Sequence, residues 1–370
     1  MLRKWICLLV VSLVLLAGCR STGEPTDLIQ SGRQHVELSR CVGVDQYGEA
    51  IDALEQALSA DPQAAEAYYW LYRAYQGAGD AGQAAETLSD LEALAVEETG
   101  TGAATFWLLK TYGETGEEEE RARLLDALEA MVENDPDDAD AHFWLGRSRY
   151  EMGDRDGAAE AFDEAASLDE EHALAQFWRG QVYYDQGRYE TAWEAFDKVL
   201  QLDSENAAAY HNRGVIAYQM GDVEQALSDL SAAAERDAED PQTHYQLGAV
   251  HLVQALPETP LGLPDEDALD EAQAEFETAL DLCPGMAEPL IGLGNLHLLQ
   301  GDANSALDVL EQALEQAPDS PEALFAMARV QAQTGDREGA CQTLEHFLSL
   351  DLPAEWQGQG EQIKNQLGCP

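Results

Sequence analysis

The side chains of this 370-residue chain best suited to catalysis or metal binding are its histidines, its cysteines and one dense run of aspartates. The histidines (His35, His142, His172, His211, His244, His251, His297 and His346) are scattered, with no spacing that would converge on one ion. Cys41, Cys283, Cys341 and Cys369 form no Cys-x-x-Cys pair and no Cys/His zinc pattern. Asp135-Pro136-Asp137-Asp138-Ala139-Asp140 is acidic enough to draw a divalent cation. It lacks the ligand order and turn glycine of a calcium loop, and Pro and Asp after a helix read as a solvated turn. No Gly-x-Ser-x-Gly, His-Glu-x-x-His, phosphate-cradling Gly-Lys-Ser/Thr loop or Gly-x-Gly-x-x-Gly is present. The chain reads as non-enzymatic, with no cofactor, no metal and no small-molecule substrate expected. The other chemistry on offer is recognition. Tyr69, Phe106, Phe143, Phe177, His211, Tyr245, Ile291 and Phe325 share one register; Tyr150, Tyr184 and Tyr218 share another about two turns on; Arg73, Arg147 and Arg329 lie between them. Rigid apolar rings, hydroxyls and a few guanidinium groups are what a protein-binding surface needs.

These residues recur because the chain recurs. Gly146, Gly180, Gly214 and Gly248 follow one another at steps of 34, as do Ala158, Ala192 and Ala226. Both ladders then jump by 46, to Gly294 and Ala272, and resume at 34 through Ala328 and through Ala306 and Ala340. A shared period with a shared interruption marks a solenoid of helix pairs. In the unit 173–206, Ala173–Asp185 reads as one helix and Tyr189–Leu202 as a second. Gly187 supplies the backbone freedom needed where the first ends. Gly180 is expected to let the second helix approach, with Ala192 as the residue that approaches it. Neither helix buries its stripe alone, so the next pair must cover it. Nine units are expected, starting near residues 31, 65, 102, 139, 173, 207, 241, 287 and 321. The first fits its first helix badly and reads as an atypical end cap. The third lacks the small residue at its crossing. The seventh carries twelve extra residues around 255–264, where three prolines and a glycine predict an extended loop, either a functional edge or a tolerated surface insertion.

The motif Leu145-Gly146, Gly153-Asp154, Ala158, Phe162, Ala165, and again Leu293-Gly294, Gly301-Asp302, Ala306, Leu310, Ala313, Pro318, resembles the tetratricopeptide repeat. The family's Tyr is matched by Tyr183 and replaced by Arg149 and His297 in these two units. The resemblance implies an all-α, right-handed superhelical solenoid of about nine helix pairs over 31–353, plus a C-terminal capping helix over 354–370. It also implies that first helices line a concave groove that takes a peptide, with the aromatic and arginine register above as its lining. Trp70, Trp107, Trp144 and Trp178 directly follow the first register, so both sets cannot face the groove; one must pack between repeats. The lysine and asparagine arrangement with which chaperone-binding members clamp a C-terminal carboxylate is missing. A final helix, 354–367, running back on 338–348 brings Cys369 toward Cys341, and a disulfide between them is expected. Cys41 and Cys283 stand in separate repeats and are not expected to meet.

The first 18 residues stand apart. Met1-Leu2-Arg3-Lys4 is positive, Trp5–Leu16 is apolar but for Ser12, and Leu16-Ala17-Gly18-Cys19 follows. The run is too short for a stable span and reads as an export signal, 1–18. Its end resembles the bacterial lipoprotein box, which implies diacylglyceryl transfer to Cys19, cleavage before it and acylation of the new amino terminus, with 19–30 as a tether. Seventy-one Asp and Glu against 20 Lys and Arg give a net charge of −51, which excludes nucleic acid as a partner and argues against lying on anionic lipid. The expectation is an extracytoplasmic lipoprotein of the bacterial cell envelope that meets the membrane through its lipid anchor alone. Arg20, rather than an aspartate, after the lipidated cysteine favours the outer membrane in a diderm and the outer face of the cell membrane in a monoderm. Its partner is a protein or peptide segment held by a scaffold. The alternatives are a structural subunit of an envelope assembly machine, in outer-membrane or pilus biogenesis, with the 255–264 loop as contact, and an accessory to a cell-wall or secreted hydrolase.

Overall fold

The computed structural model describes residues 24–42, 46–96, 102–256 and 263–369, excepting the side chains of 38, 40–42 and 96. The export segment, Cys19, the tether up to residue 23, the Cys41 side chain and the middle of the 255–264 insertion lie outside the described residues. The chain forms two compact units, residues 1–168 and 169–370. The described residues are helical and contain no strand. No helix among them is long and apolar enough to cross a membrane.

The first unit holds four helix pairs: α1 (Pro25–Val42) with α2 (Tyr47–Ala60), α3 (Ala65–Ala78) with α4 (Ala81–Val96), α5 (Gly102–Thr115) with α6 (Glu118–Asn134), and α7 (Ala139–Glu151) with α8 (Arg155–Leu168). The second holds five more: α9 (Ala173–Asp185) with α10 (Tyr189–Leu202), α11 (Ala207–Met220) with α12 (Val223–Arg236), α13 (Pro241–Gln254) with α14 (Glu266–Leu282), α15 (Ala287–Gln300) with α16 (Ala303–Gln316), and α17 (Pro321–Thr334) with α18 (Arg337–Ser349). A last helix, α19 (Ala354–Leu367), packs on α18. Within each pair the helices pack on one another, and in each unit most second helices also pack on the first helix of the next pair.

Three differences from the sequence reading have physical causes. First, α1 begins at Pro25, not near residue 31, so part of the expected tether is helix. Leu28 is buried with Leu54 and Leu71, and Val36 with Ala50 and Ala74. Gly32 supplies the small residue of this pair, since a Cβ there would stand 2.4 Å from Leu54. Second, the glycine ladder makes room for a ring or a leucine, not for the alanine ladder. A Cβ on Gly180 would meet Phe196 at 2.7 Å, one on Gly248 would meet Phe276 at 2.6 Å, and one on Gly214 would meet Leu230 at 2.8 Å. Ala192 is fully buried, but Phe196 is the residue that Gly180 admits. Third, Cys283 is buried and disulfide-bonded, which the sequence reading did not anticipate.

Much of the acidity is structural. Asp138, Asp222, Asp240, Asp265, Asp302 and Asp336 each cap a helix, their carboxylates accepting from backbone N–H groups of the first turn. Glu118, Glu119 and Glu120 fill the first turn of α6. The turn glycine Gly187 has φ of 71°, left-handed backbone that a side chain resists. At the insertion, Asp265 N–H donates to Ala255 O at 3.0 Å and closes the loop at its base. At the C-terminus, Cys341 and Cys369 are joined in a disulfide with Cα atoms 5.6 Å apart. Trp356 of α19 stacks near Phe325 and Phe347, with ring centroids 6.0 and 5.9 Å away, and Gly360 lies against Phe347.

Candidate functional site

In the second unit each of α9, α11, α13, α15 and α17 buries one face against its own second helix. Positions i, i+4 and i+7 share a face of a helix. On the side away from the buried alanines and glycines these triplets are Phe177–Gln181–Tyr184, His211–Val215–Tyr218, Tyr245–Ala249–Leu252, Ile291–Asn295–Leu298 and Phe325–Arg329–Ala332. All of these residues are half-buried except Arg329, which is exposed. The result is an inner face of partly open rings, aliphatics and amides. Arg329 is the one permanent charge among these fifteen residues.

The first register is only partly available here. Phe177 stacks on Phe196 at 5.3 Å, Tyr245 on Phe276 at 6.2 Å and Phe325 on Phe347 at 5.5 Å. One side of each ring is core and the other contributes surface. Tyr184 lies 5.8 Å from Tyr189, and burial, then Tyr189 and Asp185, raise its pKa. Tyr245 is raised by burial first, then by Glu288, Tyr218 and Glu322. His211 is pushed down by burial, with Asp240 opposing, so it is neutral at neutral pH; its Nδ1 is 2.8 Å from Thr243 Oγ1.

The corresponding face of the first unit is closed, which corrects the sequence reading for Tyr69, Phe106, Phe143 and Arg147. All four are buried. The rings form a ladder in which Tyr69 and Phe106 each pack on the tryptophan of the next repeat and Phe143 packs within its own pair. Tyr69 lies 4.9 Å from Trp107, Phe106 lies 5.4 Å from Trp144, and Phe143 stacks on Phe162 at 6.1 Å. Each also meets the tryptophan beside it edge-on, as Phe143 meets Trp144 at 4.8 Å. Arg147 lies over Phe106 at 4.4 Å, and burial lowers its pKa to about 10, with Glu151 and Glu66 opposing. Arg73 pairs with Glu114 and reaches the Tyr69 hydroxyl at 3.0 Å. Lys110, in the same register and missed by the sequence reading, pairs with Glu151 at 3.1 Å and lies 5.6 Å from the Tyr69 and Trp107 rings. Its step of 37 from Arg73 and to Arg147 was the available signal. Tyr150 is half-buried under the Arg155 guanidinium, 3.8 Å away. An open cleft of about 400 Å³ between α2, α3 and α4 is lined by Glu55, Tyr68, Tyr75, Glu86 and Asp90, without a nucleophile–base pair. Among the described residues no group of His, Cys, Asp and Glu is arranged to hold a metal ion.

A family model described as tetratricopeptide repeat matches residues 43–98, 183–250 and 297–358, and a second of the same description matches 145–207 and 266–321. The chain belongs to the tetratricopeptide repeat family. Among solved structures this tetratricopeptide repeat chain is similar to the APC/C hetero-tetramer Cut9–Hcn1, with TM-score 0.60 and 16% identity over 87% of this chain and 59% of that one. It is similar to the human IFIT1 dimer with PPP-AAAA, with TM-score 0.59 and 15% identity over 87% and 78% of the two chains. A tetratricopeptide repeat protein from Parabacteroides merdae ATCC 43184 gives TM-score 0.56 and 14% identity over 70% of this chain and 99% of that one. At such identities the likeness is one of fold. No curated protein matches the sequence. The tetratricopeptide repeat is a protein-interaction fold, and this chain is a protein-interaction scaffold.

Proposed function

We propose that this protein is a lipid-anchored, extracytoplasmic scaffold that captures a protein or peptide segment on the inner face of its second unit. The observation that carries the reading is the contrast between the two units. In the first, the rings and cations of the inner register are used up in an aromatic ladder and in ion pairs. In the second, five consecutive first helices keep rings, aliphatics and amides half-open with almost no charge. Stacked pairs preform this face, so little ordering entropy is spent on the scaffold's side when a segment binds. Anchoring at Cys19 rests on the Leu-Ala-Gly-Cys sequence after an apolar run. It would place the scaffold in the bacterial cell envelope, at the outer membrane of a diderm or the outer face of a monoderm's membrane.

Two experiments test this reading. Palmitate labelling of the wild-type chain and of Cys19→Ser should show label only in the former, and labelled Cys19→Ser contradicts the anchor. Crosslinking and pull-down from native membranes should recover a specific exported partner with wild type and lose it with Tyr184→Ala/Tyr218→Ala at unchanged helicity. The same partners in both would move the interface off this face. The favoured surface would then be the insertion in the seventh pair, as in an envelope assembly subunit: Leu256 is half exposed and Leu263 is 88% exposed at its two ends.

A further inference from the structure

The negative charge of the second unit is unevenly placed. Its five first helices carry Asp185, Glu288 and Glu322 against Arg179, Arg213 and Arg329, so they are neutral in sum. The second helices carry the excess: α14 alone has Glu266, Asp267, Asp270, Glu271, Glu275, Glu277 and Asp281 and no base. The turns add more. Helix-capping Asp222, Asp302 and Asp336 follow the first helices, and Asp203, Asp237 and Asp319 follow the second. In an array of helix pairs the two kinds of turn lie along opposite edges, so this face, neutral in sum, is bordered by carboxylates on both sides.

Two acids stand on the face itself. Glu288 shares the side of α15 that presents Ile291 and Asn295, at i+3 and i+7. Glu322 stands likewise to Phe325 and Arg329 on α17. Both are exposed. The first helices α13, α15 and α17 pack in turn on one another, which sets Tyr245 and the two carboxylates on one continuous side, and both carboxylates bear on the Tyr245 hydroxyl. Arg329 lies two turns further along α17 and is exposed. A cationic side chain is recognised by an aromatic face together with carboxylates, and a carboxylate-rich rim draws a basic chain from a distance. An acidic partner would meet repulsion at both edges.

We infer that the segment captured by the second unit is basic and otherwise apolar, with uncharged residues along the Tyr184–Tyr218–Leu252 row and a lysine or arginine seated against Tyr245 between Glu288 and Glu322. This rests on the capture reading above and adds the partner's chemistry to it. The test is selection from a random 15-residue displayed peptide library against the full-length chain in detergent, washed at high salt to remove loose electrostatic binders. Peptides with a net positive charge and aliphatic or aromatic residues should be enriched. The best of them should bind Glu288→Gln/Glu322→Gln about tenfold more weakly, the loss expected for two solvent-screened ion pairs. Enriched peptides that depend on Tyr184 and Tyr218 but show no cation preference overturn the inference and leave the capture face standing. A basic preference that survives in Glu288→Gln/Glu322→Gln also overturns it, because the attraction would then be diffuse. No enrichment, or enrichment indifferent to Tyr184→Ala/Tyr218→Ala, removes the capture face and the inference together.

Discussion

Arg213 shows how single side chains tie this array together. Its guanidinium donates to both oxygens of Asp229, at 2.8 and 2.7 Å, and to Asp197 at 2.8 Å, joining α11 to α12 and α10. Asp229 is 2% exposed. Removing one partner of a buried pair leaves a stranded charge, so Arg213→Met should cost about 3–5 kcal/mol. Arg213→Met/Asp229→Leu should recover most of it in thermal melts. Two histidines give the same region opposite responses to pH. His244 donates to Glu275 at 2.6 Å, and this hydrogen bond raises its pKa. Its contribution is complete below the unfolded histidine value of about 6.5 and is lost as pH rises through the folded value. His211 is lowered by burial. Its unfolded form takes up a proton first, so stability falls as pH drops below about 6.5 through the lower folded value. Melting temperature against pH should therefore lose its alkaline-side decline in His244→Gln and its acid-side decline in His211→Asn. A row like Tyr184, Tyr218, Leu252, Leu298 can be read from the sequence by carrying the 34-residue step across the 46-residue jump. Attention to rings alone hides it, because half its members are leucines. The burial of Tyr69, Phe106 and Phe143 was not legible, because identical residue types in one register are core in one unit and half-open in the other. What differs is the tryptophan of the next repeat, which covers Tyr69 and Phe106.

At the scale of elements, four pairs close through a glycine and a large residue sixteen positions later: Gly146 with Phe162, Gly180 with Phe196, Gly214 with Leu230 and Gly294 with Leu310. Adding one methyl group there forces the helices apart, so Gly180→Ala should destabilise by about 1–3 kcal/mol. Phe196→Leu in the same chain should restore part of the loss, since leucine already fills that place opposite Gly214 and Gly294. Denaturation followed by circular dichroism checks both. The ladder of glycines was plain in the sequence. Its partner was not, because Ala192 and Phe196 both stand on the stripe of α10 that is buried, and only the packing distinguishes them. The start of α1 was obscured for a similar reason: its anchors Leu28 and Val36 are sparse in a polar segment that shows no repeat motif. The C-terminal helix depends on local fastening. The Cys341–Cys369 disulfide spans 28 residues, a loop worth about 3–4 kcal/mol of chain entropy when closed. On mild reduction α19 should exchange its amide hydrogens faster, while helices several repeats away, which interact only with their neighbours, keep their rates.

Across the whole molecule, a net charge of −51 repels itself. Screening should relieve this, so the melting temperature should rise as monovalent salt increases toward about 1 M. The repeat count and the helix pairing followed from the period, because a solenoid repeats its local contacts and needs no long-range pairing to be guessed. The division into two units did not follow from it, since the period runs through residue 168 without a break in its ladders. The claim that the second unit's inner face is the capture surface is tested most directly by photocrosslinking in native membranes. A photoreactive residue placed at Val215, Tyr218 or Leu252 should capture a discrete partner. The same residue at Ser228 or Glu235, exposed on α12, should capture none. Partner bands from the α12 positions, with none from the inner row, would contradict the account.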